Sequence, residues 1–280
     1  MQTKAILKTE AVNSYIDLHK NLKLPFTLTL STYTARIKSN YCDIYFMKSE
    51  QPNRVFCAYN KVKKDVTTQQ VKKIKVNSLQ YYSTNFKDDN FYSDIIYNVD
   101  IKSAYATILY NDGLIKKDTF EYLCKLPKME RLASVGMLAG KKNIFEMDAD
   151  GEVISEKTEI SPTADYFFYC VKRTSEIINF VAKHLGNAFL FSWVDGIYFL
   201  QANHKGSIEA GEIVKDYFAE INLKASFDIL KEFEVIGQPD YYNCNFIKED
   251  KRKFINVPRP NNRILNQITE HLFTKTYDNN

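Results

Sequence analysis

The segment Phe189-Leu190-Phe191-Ser192-Trp193-Val194-Asp195-Gly196-Ile197-Tyr198-Phe199-Leu200 constrains the fold of this chain more than any other stretch. An Asp-Gly pair between two apolar runs is among the strongest short-range signals for a tight β-hairpin, and it predicts a type I′ turn centred on Asp195-Gly196. The runs are apolar nearly throughout rather than alternating, so both faces of the hairpin are expected to be buried. A carboxylate at the tip of a buried hairpin is costly unless a cation meets it. The plainer alternative is that Asp195 serves only the turn.

A second carboxylate stands in a comparable setting. The apolar run Ile95-Ile96-Tyr97-Asn98-Val99 leads into Asp100-Ile101-Lys102-Ser103-Ala104-Tyr105, a strand that ends in a carboxylate and turns at once toward a helix. Alone, Asp100 reads equally well as a helix cap, since its side chain accepts backbone N–H bonds. Taken together, Asp100 and Asp195 could converge on divalent metal ions held about 3.5–4 Å apart for in-line phosphoryl transfer.

In order and spacing these segments resemble family B DNA polymerases. Asp100, Ser103 and Tyr105 match the first palm motif of that family, Asp-x-x-Ser-Leu-Tyr. Trp193-Val194-Asp195-Gly196-Ile197 sits where the family has Asp-Thr-Asp-Ser-Leu/Ile, which aligns Asp195 with the second, metal-binding Asp and leaves Trp193 in place of the first. Lys128 and Gly136 keep the spacing of the finger-helix motif, with Val135 where its Tyr is expected and Leu132 where an Asn is usual. Arg252 and Phe254 replace the Lys and Tyr of the last palm strand, after Glu232-Phe233-Glu234. The resemblance runs from about Ile95 to Val257.

The resemblance implies an α+β fold: a polymerase palm with an antiparallel sheet backed by helices, very short fingers and a vestigial thumb. It divides the chain into an N-terminal region at 1–94, a palm at 95–257 with short fingers-like helices inserted at 112–140, and a tail or thumb remnant at 258–280. It implies template-directed DNA synthesis on a primer 3′-hydroxyl, using deoxynucleoside triphosphates and Mg²⁺ or Mn²⁺. Asp100 and Asp195 would hold the metals, with the backbone carbonyl of Ile101 as a further ligand. Ser103, Tyr105 and Lys128 would contact the nucleotide, Tyr105 as a steric gate against the ribose 2′-hydroxyl. Arg131 joins Lys128 by our own inference, since residues three apart share a helix face. Arg252 and Lys253 would hold the primer-template backbone, and Glu232 or Glu234 would add a carboxylate near the metals. So stripped-down a palm suits a phage or mobile element, and it implies short-tract synthesis unless a protein partner or an oligomer completes the cleft.

Two other readings stay open. Val99 to Tyr105 and Trp193 to Gly196 also resemble reverse transcriptase motifs, although the Gln-Gly motif is missing and Gly196 stands for the second Asp of Tyr-x-Asp-Asp. A non-catalytic, palm-fold nucleic-acid-binding or assembly subunit would account for Trp193 and for the reduced fingers and thumb.

Composition sets the outer limits. With 280 residues, 45% of them hydrophobic, and 19 Tyr and 19 Phe, the chain can bury a large core or two modest ones. A net charge of +4 permits nucleic-acid binding without requiring it. Cys42, Cys57, Cys124, Cys170 and Cys244 form no C-x-x-C pair, so neither a zinc site nor a disulfide framework is indicated. No signal peptide heads the chain and no apolar run could span a bilayer, so a soluble cytoplasmic protein without membrane contact is expected.

Elsewhere the patterns are local. A helix is expected from Glu10 to Lys20, with His19 as a packed boundary residue. Leu24 to Lys38 fits strand or helix, and the resemblance favours helix from Leu30. Lys61, Lys63, Lys64, Lys72, Lys73 and Lys75 read either as a phosphate contact or as a solvated face. Ser83 to Ser93 reads as a loop. Two short helices joined at Leu126-Pro127 are expected between Leu114 and Gly140, a hairpin or loop between Asn143 and Ile160, and helices at Thr163–Leu185 and Ser207–Ile221. One more helix is expected at Asn262–Phe273.

Overall fold

Two sheets, one antiparallel throughout and the other in all but one strand pair, organise this α+β chain. The computed structural model describes residues 4–6, 9–31, 34–47, 53–73, 82–200 and 207–259. Lys75, Pro260 and the helix expected from Asn262 to Phe273 lie outside the described residues. The chain divides into two units, 1–70 with 126–167, and 71–125 with 168–280. This differs from the linear division expected from sequence: 126–167, assigned there to the palm and its insertion, groups with residues 1–70, and 71–94 groups with the second unit.

In the first unit, β1 (Lys4–Ile6), β2 (Phe26–Ser31), β3 (Thr34–Lys38), β4 (Asp43–Met47), β7 (Lys141–Met147) and β8 (Val153–Ile160) form a sheet in the order β1-β4-β3-β2-β7-β8. The helix favoured from Leu30 is absent, because the segment alternates with period two. Phe26 and Leu28 on β2, and Ala35 and Ile37 on β3, point into one core with Phe46, and Thr27 and Thr29 take the opposite face. The helix α1 (Thr9–Asn21) lays Val12, Tyr15 and Ile16 on that core. The basic stretch begins on α2 (Asn53–Val66), whose Val55, Ala58 and Val62 are buried while Lys61, Lys63 and Lys64 are exposed. Pro127 separates α5 (Lys128–Gly136) from the preceding helix, since a residue before proline resists helical geometry. Ser134 of α5 is buried and donates to the carbonyl of Val55, and Arg54 pairs with Glu130 at 2.5 Å.

In the second unit, β5 (Tyr82–Thr84), β6 (Asn90–Ile101), β9 (Phe189–Trp193), β10 (Gly196–Leu200), β11 (Ala225–Gly237), β12 (Tyr241–Lys248) and β13 (Lys251–Pro258) form a sheet in the order β13-β12-β11-β6-β10-β9-β5. The loop expected at Ser83–Ser93 shrinks to 85–89, because β5 pairs with β9 and β6 already begins at Asn90. One face of the sheet packs on α3 (Ala104–Asn111), α6 (Ala164–Leu185) and α7 (Ser207–Glu220). Val99, Ile101, Ile197 and Phe199 meet Ile108, Ile178, Val181, Val214 and Phe218 there. The other face carries Ile96, Phe191, Tyr198, Leu230, Phe233, Cys244 and Phe246. β9 and β10 therefore contribute to both layers, which is why the hairpin lacks polar alternation. The short helix α4 (Lys117–Lys125) stacks Phe120 on Tyr110 of α3 at 4.6 Å. Among the described residues no helix is long and apolar enough to cross a membrane.

Candidate active site

The site lies in the second unit, where the central strand β6 ends. Asp100 is in register with Gly196 of β10 on one side and Ser226 of β11 on the other. Asp195 is the turn residue just before Gly196, and its carbonyl accepts the N–H of Ile101 at 3.1 Å. The two aspartates are thus brought together at one end of two adjacent antiparallel strands. Both are half-buried.

Gly196 leaves room for this arrangement. A Cβ built on it would lie 3.3 Å from Oδ1 of Asp100 and 3.3 Å from Cε2 of Tyr198. The Asp100 carboxylate and the Tyr198 ring edge therefore share the space over this glycine. The hairpin turn itself differs from expectation. Trp193 pairs with Gly196, so the turn is centred on Val194-Asp195, one residue earlier than Asp195-Gly196. Val194 takes the positive φ of 54°, a strained choice for a β-branched residue, and local strain of this kind gathers at functional sites.

Tyr198 records the field of the pair. Its ring stacks on Phe191 at 4.1 Å, and burial pushes its hydroxyl well above the ordinary tyrosine value, with Asp100 and Asp195 adding to the shift. Both carboxylates thus act on one hydroxyl. Tyr198 is opposite Asn98, which is opposite Asp228, and alternation puts all three on the face of Asp100. Asn98 is buried and reaches the carbonyl of Ile197 at 3.5 Å. Asp228 pairs with Lys248 at 2.7 Å. Sequence reading passed over Asn98, Asp228, Ser226 and Lys248. The signal was present in the alternation Phe227-Asp228-Ile229 and in Asn98 standing two positions before Asp100.

Ser103 occupies the N-cap of α3 at φ 55°. Its side chain makes no capping bond, while its carbonyl accepts the N–H of Thr107 at 2.9 Å. Tyr105, on the first turn of α3, packs against the helix-backed core. Burial raises its hydroxyl, and Cys170 and Asp195 contribute. Arg173 of α6, the helix that runs toward the hairpin, spends its charge on Asp112 at 3.5 Å and Glu176 at 2.9 Å.

Arg252 and Lys253 separate. Lys253 is in register with Phe246, whose ring lies on the Asp100 face, and Arg252 with Ile247 on the reverse. Arg252 also pairs with Glu232 at 3.4 Å. The expected carboxylate from Glu232 or Glu234 is not near the pair. Ser226 is the β11 residue opposite Asp100, and Glu232 lies about 20 Å further along the strand at about 3.3 Å per residue. Glu232 sits at a bulge with φ 50°.

Lys128 and Arg131 belong to the first unit. Lys128 is exposed at the start of α5, and Arg131 donates from Nη1 to the carbonyl of Leu126 at 3.1 Å.

As metal donors, Asp100 and Asp195 supply anionic oxygens, the donor type that Mg²⁺ and Mn²⁺ prefer. Among the described residues no group of three His, Cys, Asp or Glu side chains is placed to hold an ion. At the hairpin, Trp193 packs on Tyr82, ring centroids 6.0 Å apart. The donor set fits a site that a substrate's phosphates complete, as Mg²⁺ sites usually are. Compared with known proteins, the chain matches no family model and no curated protein.

Proposed function

We propose that this chain is a template-directed DNA polymerase of the family B kind, built on a minimal palm, that adds nucleotides to a primer 3′-hydroxyl. The observation that carries the reading is the meeting of Asp100 and Asp195 at the end of β6 and β10, with Gly196 clearing space for the Asp100 carboxylate. An antiparallel sheet with helices on one face supports it as well.

The residues divide the work as follows. Asp100 and Asp195, with the Ile101 carbonyl, would hold Mg²⁺ or Mn²⁺. When bound, such ions supply charge neutralisation and alignment for phosphoryl transfer, which needs little covalent help from protein. Asp100 is held in place by its strand neighbours: Ser226 donates to its carbonyl at 3.5 Å, and Gly196 leaves its side chain room. Tyr105 is fixed by the core behind it, so its ring can act as a rigid wall against a 2′-hydroxyl. Lys253, on the carboxylate face, is the better placed of the two basic candidates for a primer phosphate. Lys128 and Arg131 take the triphosphate role through the resemblance and helix spacing alone.

One observation favours a second reading. With Trp193 where the family has a carboxylate and only two aspartates at the strand ends, the chain also suits a non-catalytic nucleic-acid-binding or assembly subunit.

The test is incorporation of labelled deoxynucleotides by purified protein with Mg²⁺ or Mn²⁺, on DNA and RNA templates in parallel. Addition on DNA supports the proposal, and addition on RNA alone moves the chain to the reverse transcriptase class. Salt-sensitive binding of primer-template without any addition favours the second reading.

A further inference from the structure

Away from the carboxylate pair, the first unit contains a nucleophile and a base in contact. We propose that Cys42 is an activated thiol, with His19 as its base, that undergoes thiol–disulfide exchange with small disulfides.

His19 lies in the last turn of α1 and is 4% exposed. Cys42 is half-buried in the turn that enters β4. The imidazole is oriented from behind: Nδ1 is 2.7 Å from the carbonyl oxygen of Tyr15. A carbonyl oxygen can only accept, so Nδ1 carries the hydrogen. In the neutral ring Nε2 then keeps its lone pair. That atom is 3.4 Å from Sγ of Cys42 and 3.2 Å from Oγ of Ser39. Ser39 Oγ in turn is 3.5 Å from the sulfur and accepts the N–H groups of Tyr41 and Cys42 at 3.2 and 3.3 Å. The ring is also held against Phe26, centroid to centroid 5.0 Å. A nucleophile within reach of a base, and a base oriented by a third group, is the arrangement that activates cysteine.

The other cysteines make the contrast. Cys170 and Cys244 are buried, and burial pushes both thiols up, that of Cys244 to about 12. Such thiols are inert. Cys57 and Cys124 are exposed on α2 and α4. Cys57 serves as the reference, since it is more open to solvent than Cys42.

In the exchange, the Cys42 thiol gives its proton to His19 Nε2. The sulfur attacks one sulfur of the incoming disulfide, forming a mixed disulfide as the old S–S bond breaks. The departing thiolate takes up the proton and leaves as a thiol. The incoming disulfide is the oxidant, and nothing else is consumed.

The experiment uses the full chain with oxidised glutathione at neutral pH, and follows each cysteine-containing peptide by mass spectrometry. Cys42 is expected to acquire glutathione about tenfold faster than Cys57, because a base in contact takes its proton as the sulfur attacks. In denaturant the two should react at similar rates. His19→Gln, which keeps polar contacts but not the base, should bring Cys42 down to the rate of Cys57. A native protein in which Cys42 reacts no faster than Cys57 overturns the proposal and leaves His19 as a packing residue. So does a folded His19→Gln variant that keeps the fast reaction.

Discussion

Gly196→Ala is the substitution that probes the candidate site with least disturbance elsewhere. The added methyl would lie 3.3 Å from Asp100 Oδ1, 3.3 Å from Tyr198 Cε2 and 3.4 Å from the Trp193 carbonyl oxygen. Relaxed carbon contacts sit at about 3.5–4.0 Å, so each neighbour must give by a few tenths of an ångström. The Trp193 carbonyl is strand backbone and the Tyr198 ring is stacked on Phe191, so the carboxylate yields first. A misplacement of about 1 Å at a reacting centre can cost roughly 100-fold. A few tenths then predict about a three- to tenfold loss, or about 1 kcal/mol of barrier. Stability should barely change. Replacing glycine by alanine in a strand gains about 0.5–1 kcal/mol, which the tight contacts offset. Gly196 has no positive φ to lose. The assays are Mn²⁺ affinity by electron paramagnetic resonance, single-nucleotide addition, and urea unfolding. Gly196→Val should weaken both functional readouts further than alanine does. An alanine variant with wild-type Mn²⁺ affinity and wild-type addition would refute the idea that the Asp100 carboxylate depends on the space over this glycine.

Two further outcomes follow from the sheet. Lys253→Ala should weaken primer-template binding and reduce the salt slope by about one, the effect of losing one phosphate contact. Arg252→Ala should do neither, because Arg252 is on the reverse face and paired with Glu232; fluorescence anisotropy across a salt series separates them. Tyr82 has a buried hydroxyl with no hydrogen-bond partner among the described residues, and burial pushes its ionisation from 10.0 to about 12. Between those values the unfolded chain has released a proton that the folded chain keeps, so stability falls as pH rises through that window. Tyr82→Phe should shrink that alkaline loss in pH-dependent urea melts. At neutral pH it should match the wild type or exceed it by up to about 1 kcal/mol, since an unpaired buried hydroxyl is costly.

Much of the fold was legible where its signals are local. The hairpin at Phe189–Leu200, the helix stopped by Gly186 and the break at Pro127 each follow from a few adjacent residues. The approach of Asp100 to Asp195 was also legible, since a strand end and a hairpin tip are natural neighbours. What failed depended on partners distant in sequence. Leu24 to Lys38 alternates with period two, but so short a pattern leaves helix open; pairing of β2 with β7, more than a hundred residues on, and of β3 with β2 and β4 settles both as strands. Glu232 was expected near the aspartate pair only because the resemblance puts it on a last palm strand. Only the register, Ser226 against Asp100, reveals how far along that strand it lies. Arg252 and Lys253 read as equivalents until alternation put them on opposite faces. The contact of His19 with Cys42 joins a helix to a turn and left no trace in spacing.

Asp100 and Asp195 are proposed to make, together, a metal-dependent nucleotide-addition site. Primer extension with the wild type, Asp100→Asn and Asp195→Asn, in Mg²⁺ and in Mn²⁺, tests it most directly. Each change removes an anionic ligand and keeps the shape of the side chain, so folding and primer-template binding should persist in both variants. Addition is expected from the wild type, none when the metal is chelated, and none from either variant. Addition that survives Asp195→Asn, or a wild type that binds primer-template yet adds no nucleotide under any of these conditions, would contradict the proposal.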